Sequence, residues 1–201
     1  MRAPADDIVE LASRRLREGR RLDLSALAAE LEISRPTLFR RVGNREELMG
    51  EALWRLASRV WRMTECRWER EHGARWLSPD GRMRSLGVLA GYGKRIVADQ
   101  GFRRLLDEEP AVALRVLTDP FGRVQPRMIE AFAVLLRRDV ADGGLAPLVD
   151  LDTLAYAVIR LCESIVYADV IADRAPDLVA ATTMVEHLVE GTLQVRATAR
   201  P

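Results

Sequence analysis

Between Glu32 and Arg45 the sequence sets four arginines, Arg35, Arg40, Arg41 and Arg45, against the single acid Glu32. Guanidinium groups suit anionic and acceptor-rich partners, because they fork onto carboxylate-like oxygen pairs, phosphates, or the O6 and N7 of guanine. Arg35, Thr37 and Arg40 are the expected readers of base edges, with the Thr37 methyl suited to thymine. Ser34, Arg41 and Arg45 are the expected phosphate grips, Arg45 at the start of a helix whose backbone N–H groups add to the hold. Pro36 and Phe39 belong to the same candidate surface. The alternative is a short basic helix pair that is merely solvated.

Other chemistry is sparse. His72 and His187 stand alone, and Cys66 and Cys162 fit no metal or redox spacing. There is no glycine-rich phosphate loop and no grouping of nucleophile, base and stabiliser, so neither an enzyme, a metal site nor a cofactor is expected. Trp61, Tyr92, Phe102 and Phe132, with Glu163 and Tyr167 as polar anchors, could instead line a small-molecule pocket, which needs mainly apolar walls and a few polar groups. Each of these residues also fits an ordinary core.

Charge gives no global signal. The 201 residues hold 31 basic and 30 acidic side chains, for a net charge of +1, so a nucleic-acid site would have to be local. All basic residues except Lys94 are Arg, which fits a coding bias better than many separate demands for guanidinium. The 48% hydrophobic content supports a packed protein. No run approaches the ~18 apolar residues of a membrane span, so a soluble cytoplasmic setting without a membrane partner is expected.

The elements that must position these residues are helical. Apolar residues recur at three- and four-residue spacing, and clean two-residue alternation is missing, so the fold class is all-α. Ile8, Leu11, Ala12 and Leu16 make one stripe ending at Gly19, and Leu24, Leu27, Ala28 and Leu31 make a second behind Asp23. Ser34 caps a third helix, in which Leu38 and Phe39 are expected to face the core. Asn44 and Glu47 form a capping box for a long helix over 45–71. Further helices are expected near 82–99, 102–107, 110–118, 123–142, 152–173 and 177–196. Two short helices joined by a three-residue turn describe a helix-turn-helix.

Residues 33–48, Ile-Ser-Arg-Pro-Thr-Leu-Phe-Arg-Arg-Val-Gly-Asn-Arg-Glu-Glu-Leu, resemble the signature of TetR-family regulators, with Leu27-Ala28 in register upstream. Phe39 stands where the family usually has Tyr, Arg41-Val42 where it has His-Phe, and Glu32 where a turn glycine is usual. Glu32 should therefore sit in a strained left-handed turn. Leu154-Ala155-Tyr156 through Arg160, Glu163-Ser164 and Tyr167-Ala168-Asp169 resemble the QsdR subgroup, which implies a lactone or related acyl compound as one possible inducer.

The resemblance implies an N-terminal helix-turn-helix DNA-binding domain over 1–48, and a helical ligand-binding and dimerisation domain over 49–201. It also implies a homodimer through the helices near 152–173 and 177–196, a palindromic double-stranded operator and a small-molecule effector. One recognition helix covers only a half-site, which favours a two-fold dimer. Those two helices could otherwise simply close the monomer core. The competing function is a helical interaction module with degenerate DNA binding.

Overall fold

The computed structural model describes residues 4–172 and 174–195. Residues 173 and 196, expected to end the last two long helices, lie outside these, as do both extremes of the expected domains. The described elements run α1 (Ala5–Arg17), α2 (Leu24–Glu30), α3 (Arg35–Val42), α4 (Arg45–His72), α5 (Arg84–Ala98), α6 (Gln100–Glu108), α7 (Pro110–Thr118), α8 (Gln125–Gly143), β1 (Leu145–Pro147), α9 (Leu151–Ile171), α10 (Leu178–Thr192) and β2 (Leu193–Val195). No helix among the described residues is long and apolar enough to cross a membrane.

Local chemistry explains the first boundaries. α1 begins with Asp6 and Asp7 and ends with Arg14, Arg15 and Arg17, matching the helix dipole at both ends. Gly19, at φ 68°, lets its N–H reach Leu16 O, and Arg20 N–H reaches Arg15 O, which closes the helix. Asp23 accepts from the N–H groups of Ser25 and Ala26, and Ser34 from that of Thr37. Asn44 and Glu47 exchange the two bonds of a capping box at 2.8 and 2.9 Å. As expected, Glu32 is left-handed, with φ 52°.

Two expectations are corrected here. Phe39 is 57% exposed while Leu38 is buried. Neighbouring helical residues point about 100° apart, so both cannot face the core, and Val42 packs against it with Leu38 instead. The last helix stops at Thr192 rather than continuing to 196, because Leu193 turns extended and pairs antiparallel with Pro147, as Gln194 does with Ala146. Strands of three residues are too short to show alternation in the sequence.

One apolar cluster joins Ile8, Leu11 and Leu16 of α1, Leu27 of α2 and Leu38 of α3 to Leu48, Met49 and Leu53 of α4, and then to Leu105, Leu106 and Leu117 of α6 and α7. A second joins Trp61 and Trp68 to α5, α8, α9 and α10 around Phe132. Trp54 packs against both, which makes α4 their common wall. The first core therefore continues past residue 48. In α9 and α10, Leu154, Val158, Val185 and Val189 are buried inside the protomer, so this face of the two helices closes the monomer core. Behind them Asp139, fully buried, accepts from Arg84 Nε at 2.9 Å and from Ser85 N–H at 2.8 Å, which pins the start of α5 to α8.

Candidate functional site

α3 presents Arg35, Pro36, Phe39 and Arg40 to solvent, with exposed Ser34 at its cap and Thr37 half-buried. Ser34 Oγ and Thr37 Oγ1 lie 2.8 Å apart, and Arg40 Nη2 donates to Thr37 Oγ1 at 3.4 Å. The structure thus brings Ser34, Arg35, Thr37, Phe39 and Arg40 to one end and face of a short helix. Arg41 points elsewhere: it is half-buried and lines a polar groove with Asp6, Glu47 and Arg55 of α1 and α4.

Arg45 is also committed elsewhere, contrary to the phosphate role expected for it. Its Nε donates to Leu22 O at 2.8 Å and its Nη2 to Glu109 Oε1 at 2.6 Å. Arg21 pairs with the same Glu109 oxygen at 3.4 Å. The guanidinium nearest the N-terminus of α4 is therefore spent on tying the helix-turn-helix to the α6–α7 junction.

Within the body is a cavity of about 320 Å³, at the lower end of the ~300–1,000 Å³ usual for small-molecule sites. Leu16 and Arg17 of α1, Met63 of α4, Leu89 of α5, Phe102 of α6 and Ala181 of α10 all contribute to its wall. At its α1 edge the backbones touch closely: a Cβ on Gly101 would lie 2.4 Å from Leu16 O and 2.7 Å from Arg17 O. Only glycine allows α6 to start this near the carbonyl end of α1.

Four of the expected pocket residues, Tyr92, Phe102, Glu163 and Tyr167, line this cavity. Phe102 and Tyr167 meet at 6.1 Å between ring centroids. Two do not line it. Trp61 lies behind Tyr92, edge-on at 5.6 Å, and Phe132 is fully buried in the second core. Their apolar bulk was consumed by packing between helices, and they are supports of the wall rather than part of it.

Glu163 is the polar centre of the cavity. Gln125 Nε2 donates to its Oε2 at 2.8 Å, and Arg160 Nη1 reaches the same oxygen at 3.2 Å. Burial pushes the Glu163 carboxyl above its ordinary value, while the Gln125 and Arg160 bonds pull the other way. Burial likewise raises the phenols of Tyr92 and Tyr167, and lifts the Cys162 thiol to about 11, with the neighbouring Glu163 adding to each shift. All four groups are thus held in a low-dielectric space that disfavours additional negative charge. Gln125 and the aliphatic walls escaped sequence reasoning. Gln125 sits before Pro126 at a helix start, which reads as punctuation, and buried aliphatics look alike whether they face a core or a cavity.

Residues 80–190, more than half of the chain, match the family model described as the Tetracyclin repressor-like C-terminal domain. The chain belongs to the TetR family. Its helix order therefore carries the TetR plan of an N-terminal helix-turn-helix followed by a helical body. The structure of the transcriptional repressor QsdR of R. erythropolis superposes with a TM-score of 0.80 at 23% identity, over 98% of this chain and 97% of that one. A putative TetR-family regulator from Mesorhizobium loti gives a TM-score of 0.51 at 15% identity, over 95% and 96%. Among curated proteins no sequence matches. TetR-family members are transcriptional regulators, not enzymes, that bind DNA and small-molecule effectors and dimerise.

Proposed function

We propose that this TetR-family chain is a dimeric repressor that releases a palindromic operator when a small molecule, of lactone or related acyl type, enters the body. The observation that carries this reading is the shared wall of the cavity: α1 of the helix-turn-helix region closes one side and α9 and α10 close another. A ligand there touches both the part that meets DNA and the helices that set the spacing of two protomers. It can shift the equilibrium only by binding the two conformations unequally.

Division into a DNA-binding segment over 1–48 and a ligand-binding, dimerising body over 49–201 is part of this reading. The base readers are Arg35, Thr37 and Arg40; Ser34 and the α3 N-terminus hold backbone phosphate, and Pro36 and Phe39 shape the surface. The face for the second copy is the exposed side of α9, with Tyr156, Ala157, Ser164 and Ala168, beside Val179, Thr183 and Met184 of α10. A second reading, an interaction module with degenerate DNA binding, draws on Glu32 and on Phe39, which has no hydroxyl for a phosphate.

Sequencing the fragments that the purified protein retains from sheared genomic DNA at near-physiological salt tests both. A shared palindrome is the expected outcome, and Arg40→Ala should then cost about 1–3 kcal/mol on that site while relaxing its base preference. Retention of random, salt-sensitive fragments alone would favour the second reading. Equal losses by Arg40→Ala on palindrome and random DNA would remove Arg40 from the base readers.

A further inference from the structure

The cavity has a polar arrangement that narrows what can occupy it, given the reading of this space as the effector site. The two protein donors at Glu163 share one oxygen: Gln125 and Arg160 converge on Oε2, and Oε1 has no partner among the described residues. Tyr92 and Tyr167 also line the cavity, and neither phenolic hydroxyl has a hydrogen-bond partner among the described residues. These three groups face the cavity, and an occupant that takes one of them out of solvent without pairing it costs about 1–3 kcal/mol, so an occupant that satisfies all three is favoured over one that does not. The remaining wall is overwhelmingly apolar. The other charged side chains that border it are Arg17, Arg59 and Asp99 toward α1, of which Arg59 is held by Glu10 at 2.7 Å, and Glu186 on α10, which is paired with Arg82 at 3.0 Å.

A carboxylate oxygen accepts and does not donate; a phenolic hydroxyl donates readily. We infer that the cavity selects an uncharged amphiphile whose polar head carries an N–H or O–H donor for Glu163 Oε1 beside a carbonyl acceptor for Tyr92 and Tyr167, such as a secondary amide, and discriminates against an ester of the same shape and against a free carboxylate. The ester, a simple lactone included, lacks the donor and leaves Oε1 unpaired, so among the lactone and related acyl compounds proposed above the cavity favours those that carry an N–H or O–H donor. The free carboxylate adds a second anion next to Glu163 in a desolvated space, where like charges repel most strongly. Sites built around a buried hydrogen-bonding group reject analogues that lack the matching atom far better than they reject a change of one methylene.

The test uses three probes of similar length on the full chain, N-butyl octanamide, butyl octanoate and dodecanoate, with affinities measured by calorimetry or quenching of intrinsic fluorescence. Wild type is expected to bind the amide at least ten-fold more tightly than the ester, and dodecanoate most weakly. In Glu163→Gln the amide-to-ester ratio should fall toward one and dodecanoate should gain affinity, because the negative charge is gone and the new amide can itself donate. Tyr167→Phe should weaken amide and ester by similar factors, since both share the carbonyl. Wild type binding ester and amide alike, or a ratio unchanged in Glu163→Gln, overturns the donor requirement while leaving the cavity as a ligand site. Failure of all three probes to bind the wild type overturns the effector-site reading and this inference together.

Discussion

Glu32 holds a left-handed backbone at φ 52°, in the turn between α2 and α3. For a residue with a Cβ that conformation costs roughly 1–2 kcal/mol, and glycine avoids it while giving back about 0.5–1 kcal/mol through its freer unfolded chain. Glu32→Gly should therefore raise stability by about 0.5–1 kcal/mol by this difference. Denaturant titration with an unchanged m-value would register it, and a loss of stability would show that the Glu32 side chain contributes more than its backbone costs. This strain was legible because a turn of three residues leaves few conformations. The fate of Arg45 was not legible: its acidic partner Glu109 is 64 residues away, so spacing near the helix-turn-helix suggested only DNA. Phe39 was misjudged for a different reason, since an aromatic residue beside a core leucine looks buried until the helical angle between them is applied.

Among the elements, α6 touches the helix-turn-helix region at both ends. Gly101 abuts the last carbonyls of α1, and Glu109, just past the other end, takes Arg45 and Arg21. Its inner side lends Phe102 and Leu105 to the cavity. A double-mutant cycle on Arg45→Ala and Glu109→Ala should give a coupling of about 0.5–3 kcal/mol, the range for contacting residues. Arg45→Ala should leave the salt slope of DNA binding unchanged, because that guanidinium is already occupied; a slope reduced by about one would restore Arg45 as a phosphate contact. α1 is tied along α4 by Glu10, which takes Arg55 at 2.9 Å and Arg59 at 2.7 Å. The Arg55 bond leads in holding the Glu10 carboxyl below its usual 4.5. A lowered folded value means stability that is present above about pH 4.5 and lost as acid takes the carboxylate through its folded value. Glu10→Gln should accordingly be less stable than wild type at pH 7 and lose less on acidification, read from thermal melts between pH 7 and 3; parallel curves would deny Glu10 this role. The starts of α2, α3 and α4 could be read from Asp23, Ser34 and Asn44 because caps are local chemistry. The β1–β2 pair could not, since its partners come from segments some fifty residues apart and hold only three residue pairs.

At the scale of the molecule, the sequence suggested a boundary after residue 48, yet the core that holds α1 to α3 runs on through Leu53 into α6 and α7. A hydrophobic pattern reveals which residues are buried but not which distant helix covers them. What the protomer leaves uncovered is informative in turn: Tyr156, Val179 and Met184 are 51%, 79% and 60% exposed on α9 and α10. A two-fold contact brings the same patch from each copy together, so one substitution acts on both sides of the interface. Met184→Glu should therefore set two carboxylates into an apolar contact at the expense of the dimer. Because Met184 is exposed in the protomer, helix content by circular dichroism should stay at the wild-type level. Sedimentation at micromolar concentration should then show a monomer. Two half-sites about 34–36 Å apart need two linked recognition helices, and unlinking them forfeits the effective concentration of the second, so operator affinity should fall at least ~100-fold while binding to a single half-site is preserved. A Met184→Glu protein that still sediments as a dimer, with operator affinity intact, would move the two-fold contact to another face of the molecule.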